Sequence, residues 1–168
     1  MKVMYELKPL SKAGIPAALA KAERYRLLNE AAEAESICRD VLRLEPENQP
    51  ALVTLLLALT DQFGRGLPAV VNQAWEILAR LQGDYERAYY AGIICERRAK
   101  GRLRQGGPGS GSFAYGSLGE AMAWYEKAEA IRPAGNDDAL LRWNTCARII
   151  SDRQLEPGPE ERSDPPLE

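Results

Sequence analysis

Apolar residues recur at helical spacing along most of the chain. In residues 31–44 they stand at positions i, i+3, i+4, i+7 and i+8, which is one stripe of an amphipathic helix. Similar stripes run through residues 52–63, 71–81, 121–131 and 140–150. No stretch shows the strict alternation of apolar and polar residues that is typical of a half-buried strand. The pattern therefore predicts an all-α protein.

Prolines and glycines separate these stripes and divide the chain into predicted helices. The breaks fall at Pro46, at Gly64 and Gly66, at the Gly/Ser-rich run 106–119, and at Pro133 and Gly135. Ser117 and Glu120 have the spacing of a capping box and predict a helix start, while Asn136 is predicted to cap the last helix. We expect three helix pairs, at 15–45, 48–82 and 85–132, and a closing helix at 136–150.

The two ends of the chain differ from this helical domain, which we place at residues 15–150 with a glycine-rich insertion at 105–117. The structure of residues 1–14 is not predicted by any pattern. Residues 151–168 are acidic and rich in proline, with almost no large apolar side chains. Such a segment buries too little apolar surface to offset the entropy of ordering, so we expect a disordered tail.

Composition narrows the classes of partner. The chain has 168 residues, of which 45% are hydrophobic and 27% charged, and its net charge is −2. A balanced charge and a pI of about 5.4 do not favour nucleic acid or an anionic membrane. The longest apolar run, residues 51–59, is far shorter than the roughly 20 residues of a membrane span. Three scattered cysteines and no signal peptide lead us to expect a cytoplasmic protein.

Residue content also limits the chemistry. The chain contains no histidine, which is the commonest general base and transition-metal ligand, and its cysteines form no CxxC pair. We therefore expect no metal, no cofactor and no enzymatic activity. An enzyme that handles a small anion through carboxylates and Arg97 or Arg148 remains an alternative.

Two segments share a pattern of small and large residues. Each places a small alanine, a larger residue four positions later, a small or β-branched residue seven later and a proline twelve later: Ala34, Cys38, Val41 and Pro46, then Ala121, Tyr125, Ala128 and Pro133. This resembles the second helix of the tetratricopeptide repeat (TPR), a helix-turn-helix unit of about 34 residues. The whole chain also resembles a group of uncharacterised bacterial proteins that carry such repeats.

The resemblance implies a right-handed helical solenoid whose first helices line a concave groove. In this superfamily the groove commonly holds an extended peptide or a partner helix, so we expect a protein-binding adaptor or assembly factor. The groove positions carried over from the family are Leu19, Glu23, Arg26, Val53, Leu57, Asp61, Tyr90, Ile94 and Arg97. The alternatives are that these residues pack internally, or that the groove is filled by self-association in a structural subunit.

One subclass of the family binds C-terminal carboxylates through a Lys/Asn clamp. The matching positions here are Leu19 and Glu23, which donate no hydrogen bond to a carboxylate, so this activity is not expected.

A basic segment adds further candidates. Arg97, Arg98, Lys100, Arg102 and Arg104 place five cations in eight residues. They form either an anion site or a solvated helix end, where cations suit the helix dipole. A related hypothesis is that the acidic tail folds back on these arginines.

The neighbouring run QGGPGSGSFAYGS lacks the Gly-Lys-Ser/Thr of a P-loop and is interpreted as a flexible insertion. Asn144 and Arg148, four residues apart on the last helix, could bind polar groups of a partner or pair within the fold.

Overall fold

The computed structural model describes residues 4–64 and 68–159. Within these residues the chain is all-helical, without strands, which confirms the predicted all-α class. The seven α-helices are α1 (Ile15–Leu27), α2 (Ala31–Leu44), α3 (Gln49–Thr60), α4 (Pro68–Leu78), α5 (Asp84–Gln105), α6 (Ser110–Ala130) and α7 (Asp138–Asp152). None of them is both long and apolar enough to cross a lipid bilayer.

Each helix packs against the next one in the chain, so neighbours in sequence are neighbours in space. In addition, α1 contacts α3, and α3 contacts α5. These three odd-numbered helices therefore lie in one row. The most extensive contact joins the two longest helices, α5 and α6.

The central helix of this row, α3, is apolar on almost every side. Eight of its residues are buried, including Leu52, Leu55 and Leu56. Its start is marked by Asn48, whose Oδ1 accepts a hydrogen bond from the backbone N–H of Ala51 at 2.9 Å. This is the usual role of an N-cap asparagine. A helix that is hydrophobic all round must be covered on all sides, and α1, α2, α4 and α5 cover it.

The core consists of two clusters that meet at α5. One cluster lies among α1 to α5 and includes Ile94, while the other lies among α5, α6 and α7 and includes Ile93 and Tyr125. Trp75 and Trp124 pack against both clusters. The two clusters therefore join into one continuous core.

The contact between α5 and α6 depends on a glycine. Gly92 is buried, and a Cβ at this position would overlap the ring of Tyr125, which is itself fully buried. Because Gly92 has no side chain, the Tyr125 ring lies directly on the backbone of α5.

The Gly/Ser-rich run is helical over much of its length. The turn between α5 and α6 contains three glycines with positive φ, Gly106, Gly107 and Gly109, and α6 begins at Ser110. Residues 110–117 of the expected glycine-rich insertion are therefore helical, which corrects their interpretation as a loop. Burial of Ala114 and Leu118 against α5 outweighs the poor helix propensity of the glycines.

The predicted capping box is wrong for the same reason. Ser117 lies inside α6 and is buried, and its Oγ donates a hydrogen bond to the carbonyl oxygen of Cys95 at 2.8 Å. The last helix begins at Asp138, with Asp137 as its first flanking residue. Asn136 accepts a hydrogen bond from the backbone N–H of Asp138 at 3.0 Å, so it stabilises the turn just before the helix.

Part of the expected disordered tail is ordered. Helix α7 continues to Asp152, and Leu155 packs against the cluster formed by α5, α6 and α7. Gly158 lies beside Ser112 at the start of α6. The expectation of disorder is thus corrected for residues 151–159. Residues 160–168, and with them most of the acidic groups of the tail hypothesis, lie outside the described residues.

The N-terminal segment lies beside α2 at residues 8–10, and its Leu10 also lies beside α1. Residues 4–11 form no regular secondary structure, and a 3-10 turn (Lys12–Gly14) leads into α1. Leu10 packs against the core, whereas Met4, Tyr5 and Leu7 are exposed. Residues 1–3, and Gly66 of the predicted turn, lie outside the described residues.

Candidate functional site

An aspartate at the end of α3 connects three helices, α1, α3 and α5. The Nε of Arg26, on α1, donates to Oδ2 of Asp61 at 2.8 Å, and Nη2 donates to Oδ1 at 3.2 Å. From α5, Nη1 of Arg97 donates to the same Oδ1 at 3.1 Å. Two guanidinium groups from different helices therefore share one carboxylate.

The positions of these residues follow from the helix lengths. Arg26 is in the last turn of α1, and Asp61 directly follows the last residue of α3, so both lie at the same edge of the stack. Helix α5 is much longer and reaches this edge with Arg97, eight residues before its end. Arg97 and Arg104 are seven residues apart, two turns along one face of α5.

A cavity of about 430 Å³ opens at this cluster. Its lining residues are Arg26, Leu27, Asn29, Ala31, Asp61, Arg97 and Arg104. Three arginines and one aspartate give the lining a net charge of +2, from three positive charges and one negative. We call these seven residues the Asp61 cavity.

Arg104 supplies one of these positive charges. It is exposed, and its guanidinium lies against Gly64, where an added Cβ would be 3.4 Å from Nη2. Within the part of the chain that the structure describes, it makes no ion pair. A second cavity of about 300 Å³, lined by Asp61, Gly64, Arg104 and Gln105, adjoins the same guanidinium.

Two exposed leucines follow Arg26 in the sequence. Leu27, the last residue of α1, is 83% exposed, and Leu28, which follows the helix, is 60% exposed. Leu27 also lines the Asp61 cavity. The cavity therefore combines positive charge with an apolar edge. The sequence patterns did not single out either leucine, although two leucines directly after the polar end of a helix were a visible signal.

The remaining groove candidates lie deeper than expected. Ile94 is fully buried in the core and is not available to a partner, which corrects its assignment as a groove contact. Leu19, Val53, Leu57 and Tyr90 are half-buried and pack against the core clusters. Internal packing, the alternative interpretation, thus accounts for much of the apolar floor. Glu23 is exposed.

A second charged cluster joins α5 to α7. Glu96 is fully buried, and its Oε2 accepts a hydrogen bond from Nη1 of Arg142 at 2.9 Å and lies 3.4 Å from Nζ of Lys100. The thiol of Cys146 donates to Oε1 at 3.6 Å. Burial alone lowers the pKa of Arg142, but the Glu96 carboxylate and a hydrogen bond with Tyr89 outweigh it, so the pKa is raised.

The structure divides the basic segment among separate surfaces. Arg97 and Arg104 line the Asp61 cavity, and Lys100 pairs with Glu96. Arg98 lies over the ring of Phe113, 5.4 Å from its centroid, while Arg102 donates to the carbonyl oxygen of Pro108 at 3.4 Å. A single anion site made of all five cations is therefore excluded.

Arg98 and Arg102 line a different cavity of about 370 Å³, together with Phe63, Val71 and Phe113. On α7, Asn144 is half-buried and Arg148 is exposed. Neither side chain makes a hydrogen bond or ion pair with the residues that the structure describes. The structure thus does not bring these two residues into either charged cluster.

The three cysteines are free and buried. Burial raises the pKa of Cys38, Cys95 and Cys146 to about 12 in each case. A thiol with such a pKa is protonated at neutral pH and is a poor nucleophile. Among residues 4–64 and 68–159, no cluster of three or more cysteine or carboxylate side chains is arranged to hold a metal ion.

Comparison of the chain with protein-family models, with curated proteins and with solved structures finds no match in any of the three.

Proposed function

We propose that this chain is a non-catalytic, TPR-like helical-repeat module. It binds a segment of another protein on the face formed by the odd-numbered helices α1, α3 and α5. The observation that carries the proposal is the Asp61 cavity, an open, positively charged site to which α1 and α5 contribute side chains around the end of α3. Stacked repeats commonly bind partners on a surface built from several successive units.

The repeat positions support the TPR-like part of the proposal. Ala34, Cys38 and Val41 on α2 are fully buried, and so are the corresponding Ala121, Tyr125 and Ala128 on α6. Pro46 and Pro133 each follow shortly after the end of their helix. Equivalent residues therefore have equivalent burial in the second helices of the first and third pairs, as a repeated unit requires.

The state of the ionisable groups supports a binding role over catalysis. Both oxygens of Asp61 accept hydrogen bonds from arginines, and Glu96 is enclosed by Arg142, Lys100 and Cys146. Carboxylates held in this way are poor general bases, because a base must reach the proton that it removes. The buried thiols are protonated, as described above.

Site-specific photo-crosslinking in the source cells tests the proposal. A photoreactive amino acid at Glu23, which is exposed on α1, is expected to capture a protein partner. The same group at Glu76, which is exposed on α4, is the matched control on an even-numbered helix. Equal capture from both positions, or capture from Glu76 alone, would contradict binding on the odd-numbered face.

Self-association is the second candidate, and one observation favours it. Met4, Tyr5 and Leu7 are large apolar side chains exposed on a segment without regular structure. Exposed apolar groups at this density are typical of contact surfaces. Light scattering coupled to size-exclusion chromatography, with the native chain and a variant that carries serine at all three positions, tests this. A dimer that is lost in the variant supports self-association, and a native chain that stays monomeric excludes it.

A further inference from the structure

We infer that the Asp61 cavity binds the carboxylate groups of an acidic peptide segment that also carries a large apolar side chain, and that Asp61 competes with this ligand for the arginines. This assignment deepens the proposed function and rests on it. It names the chemistry of the partner segment and the residues that select it.

The first argument is the imbalance of charge. Among the described residues that line the cavity, Asp61 is the one acidic residue, against Arg26, Arg97 and Arg104. Each guanidinium carries five N–H donors, and a carboxylate is the protein group that it matches best, through paired hydrogen bonds. The hydrogen bonds to Asp61 use two donors of Arg26 and one of Arg97. Donor capacity therefore remains for a second carboxylate.

Helix dipoles alone do not account for this arrangement. Arg26 and Arg104 stand in the last turns of α1 and α5, where a cation is favoured in any protein. Arg97 is two turns from the end of α5 and gains nothing from that effect. In addition, its Nε is buried without a hydrogen-bond partner among the described residues. A buried unpaired donor costs stability, so the position of Arg97 is not explained by stability alone.

The apolar part of the ligand is indicated by Leu27. This side chain lines the cavity and is almost entirely exposed, with Leu28 beside it. An exposed pair of leucines next to a cluster of arginines suits a peptide with alternating acidic and apolar residues. The same surface suits a small inorganic anion much less well, because such an ion has no apolar group for the leucines to contact.

Loss of the Asp61 charge should affect peptide binding in the opposite direction to loss of an arginine. Its carboxylate already occupies donors of Arg26 and Arg97, as the incoming carboxylate would. Removal of the charge at Asp61 therefore raises the charge of the cavity from +2 to +3 and releases donors for the ligand. A residue that served only to hold α1, α3 and α5 together would have no such effect on binding.

Fluorescence anisotropy with a labelled peptide of glutamates around a central leucine tests the inference. The native chain is expected to bind this peptide. It is expected not to bind a control peptide in which lysines take the place of the glutamates around the leucine. Arg104→Gln, which breaks no ion pair of the described structure, should weaken binding by about tenfold or more, as expected for the loss of a charged hydrogen bond. Leu27→Ser should weaken it severalfold.

The matched control is Arg102→Gln. This variant removes the same charge from the same helix two residues away, but Arg102 lines the cavity beside Phe113. It should change affinity by less than about twofold, because long-range attraction is screened by salt. Asp61→Asn should bind about tenfold more tightly than the native chain. Circular dichroism of each variant checks that the helices are intact.

Three results would overturn the inference. The first is that the native chain does not bind the acidic peptide. The second is that Arg102→Gln and Arg104→Gln lower the affinity for this peptide equally. The third is inorganic phosphate displacing the peptide at equal concentration. If any of these occurs while crosslinking from Glu23 still captures a partner, the ligand chemistry is wrong and the proposed function stands. If the peptide binds as expected but Glu23 captures nothing, the proposed function fails instead.

Discussion

Glu96 and Arg97 are adjacent in the sequence, but their side chains connect α5 to different helices. Arg97 reaches Asp61 at the end of α3, whereas Glu96 reaches Arg142 on α7. Successive residues of a helix point about 100° apart, so two adjacent side chains can contact two different helices. Helix α5 is therefore the element through which charge links the first half of the chain to the last helix.

The close contact of α5 with α6 predicts opposite effects for two glycine substitutions. Gly92→Ala should lower the free energy of unfolding by about 1–3 kcal/mol, because the new methyl group collides with the buried Tyr125 ring. Gly119→Ala is the control: Gly119 is exposed in α6 with open space around it, so alanine should stabilise the helix by about 0.5–1 kcal/mol. Urea unfolding measures both. Equal effects of the two substitutions would contradict the packing.

The buried Glu96 predicts an asymmetry between two charge-removing variants. Arg142→Leu should destabilise the fold more than Glu96→Leu, because the first leaves a fully buried carboxylate with Lys100 as its one remaining cation among the described residues. The second leaves two cations that are each about one-third exposed and can reach water. A buried charge that has lost a partner costs about 3–5 kcal/mol. Thermal unfolding of the two variants decides the order, and the reverse order would show that Lys100 suffices for Glu96.

The shared carboxylate at Asp61 predicts energetic coupling between α1 and α3. Arg26→Gln and Asp61→Asn should each lower the free energy of unfolding by about 1–2 kcal/mol, because the pair is only about one-fifth exposed and forms two hydrogen bonds. In the double variant the two losses should not add, with a coupling of about 1 kcal/mol. Additive losses in the double-mutant cycle would mean that the contact contributes nothing specific.

The cysteines predict the pH dependence of stability at alkaline pH. Their thiols have a reference pKa of 9.0 in the unfolded chain and about 12 in the fold, because burial disfavours the thiolate. Between these values the unfolded chain has released protons that the native chain retains, so stability falls as pH rises. A variant with alanine at Cys38, Cys95 and Cys146 should show a shallower fall. At neutral pH the native thiols should react slowly with a disulfide reagent, and all three should react after denaturation.

The positions of the helices were largely predictable, because they depend on local patterns. The apolar stripes and the proline and glycine breaks predicted the bounds of α2 to α4 approximately, and the all-α class followed from the stripes. The start of α6 was not predictable in this way. Its first turns contain Gly111 and Gly116, and the low helix propensity of glycine predicts a loop there. These turns are helical because α6 packs against α5.

Individual residues of the candidate site were predictable, but the contacts between them were not. The family resemblance placed Arg26, Asp61 and Arg97 on one face, but it did not predict the contacts between them. The same reasoning placed Ile94 on that face, and it is buried instead. Glu96 was missed, although a carboxylate directly after the apolar run AGIIC and four residues before Lys100 was a usable signal.

The order of apolar and polar residues by itself determined that the chain is helical, where most helices begin and end, and which residue types each helix carries. Only the tertiary structure decided that two arginines share Asp61, that Glu96 meets Arg142 across 46 positions, and that the Gly/Ser run becomes helix. The reason is physical. Helix periodicity depends on neighbours within a few residues, whereas burial and pairing depend on how helices far apart in the chain are turned toward one another.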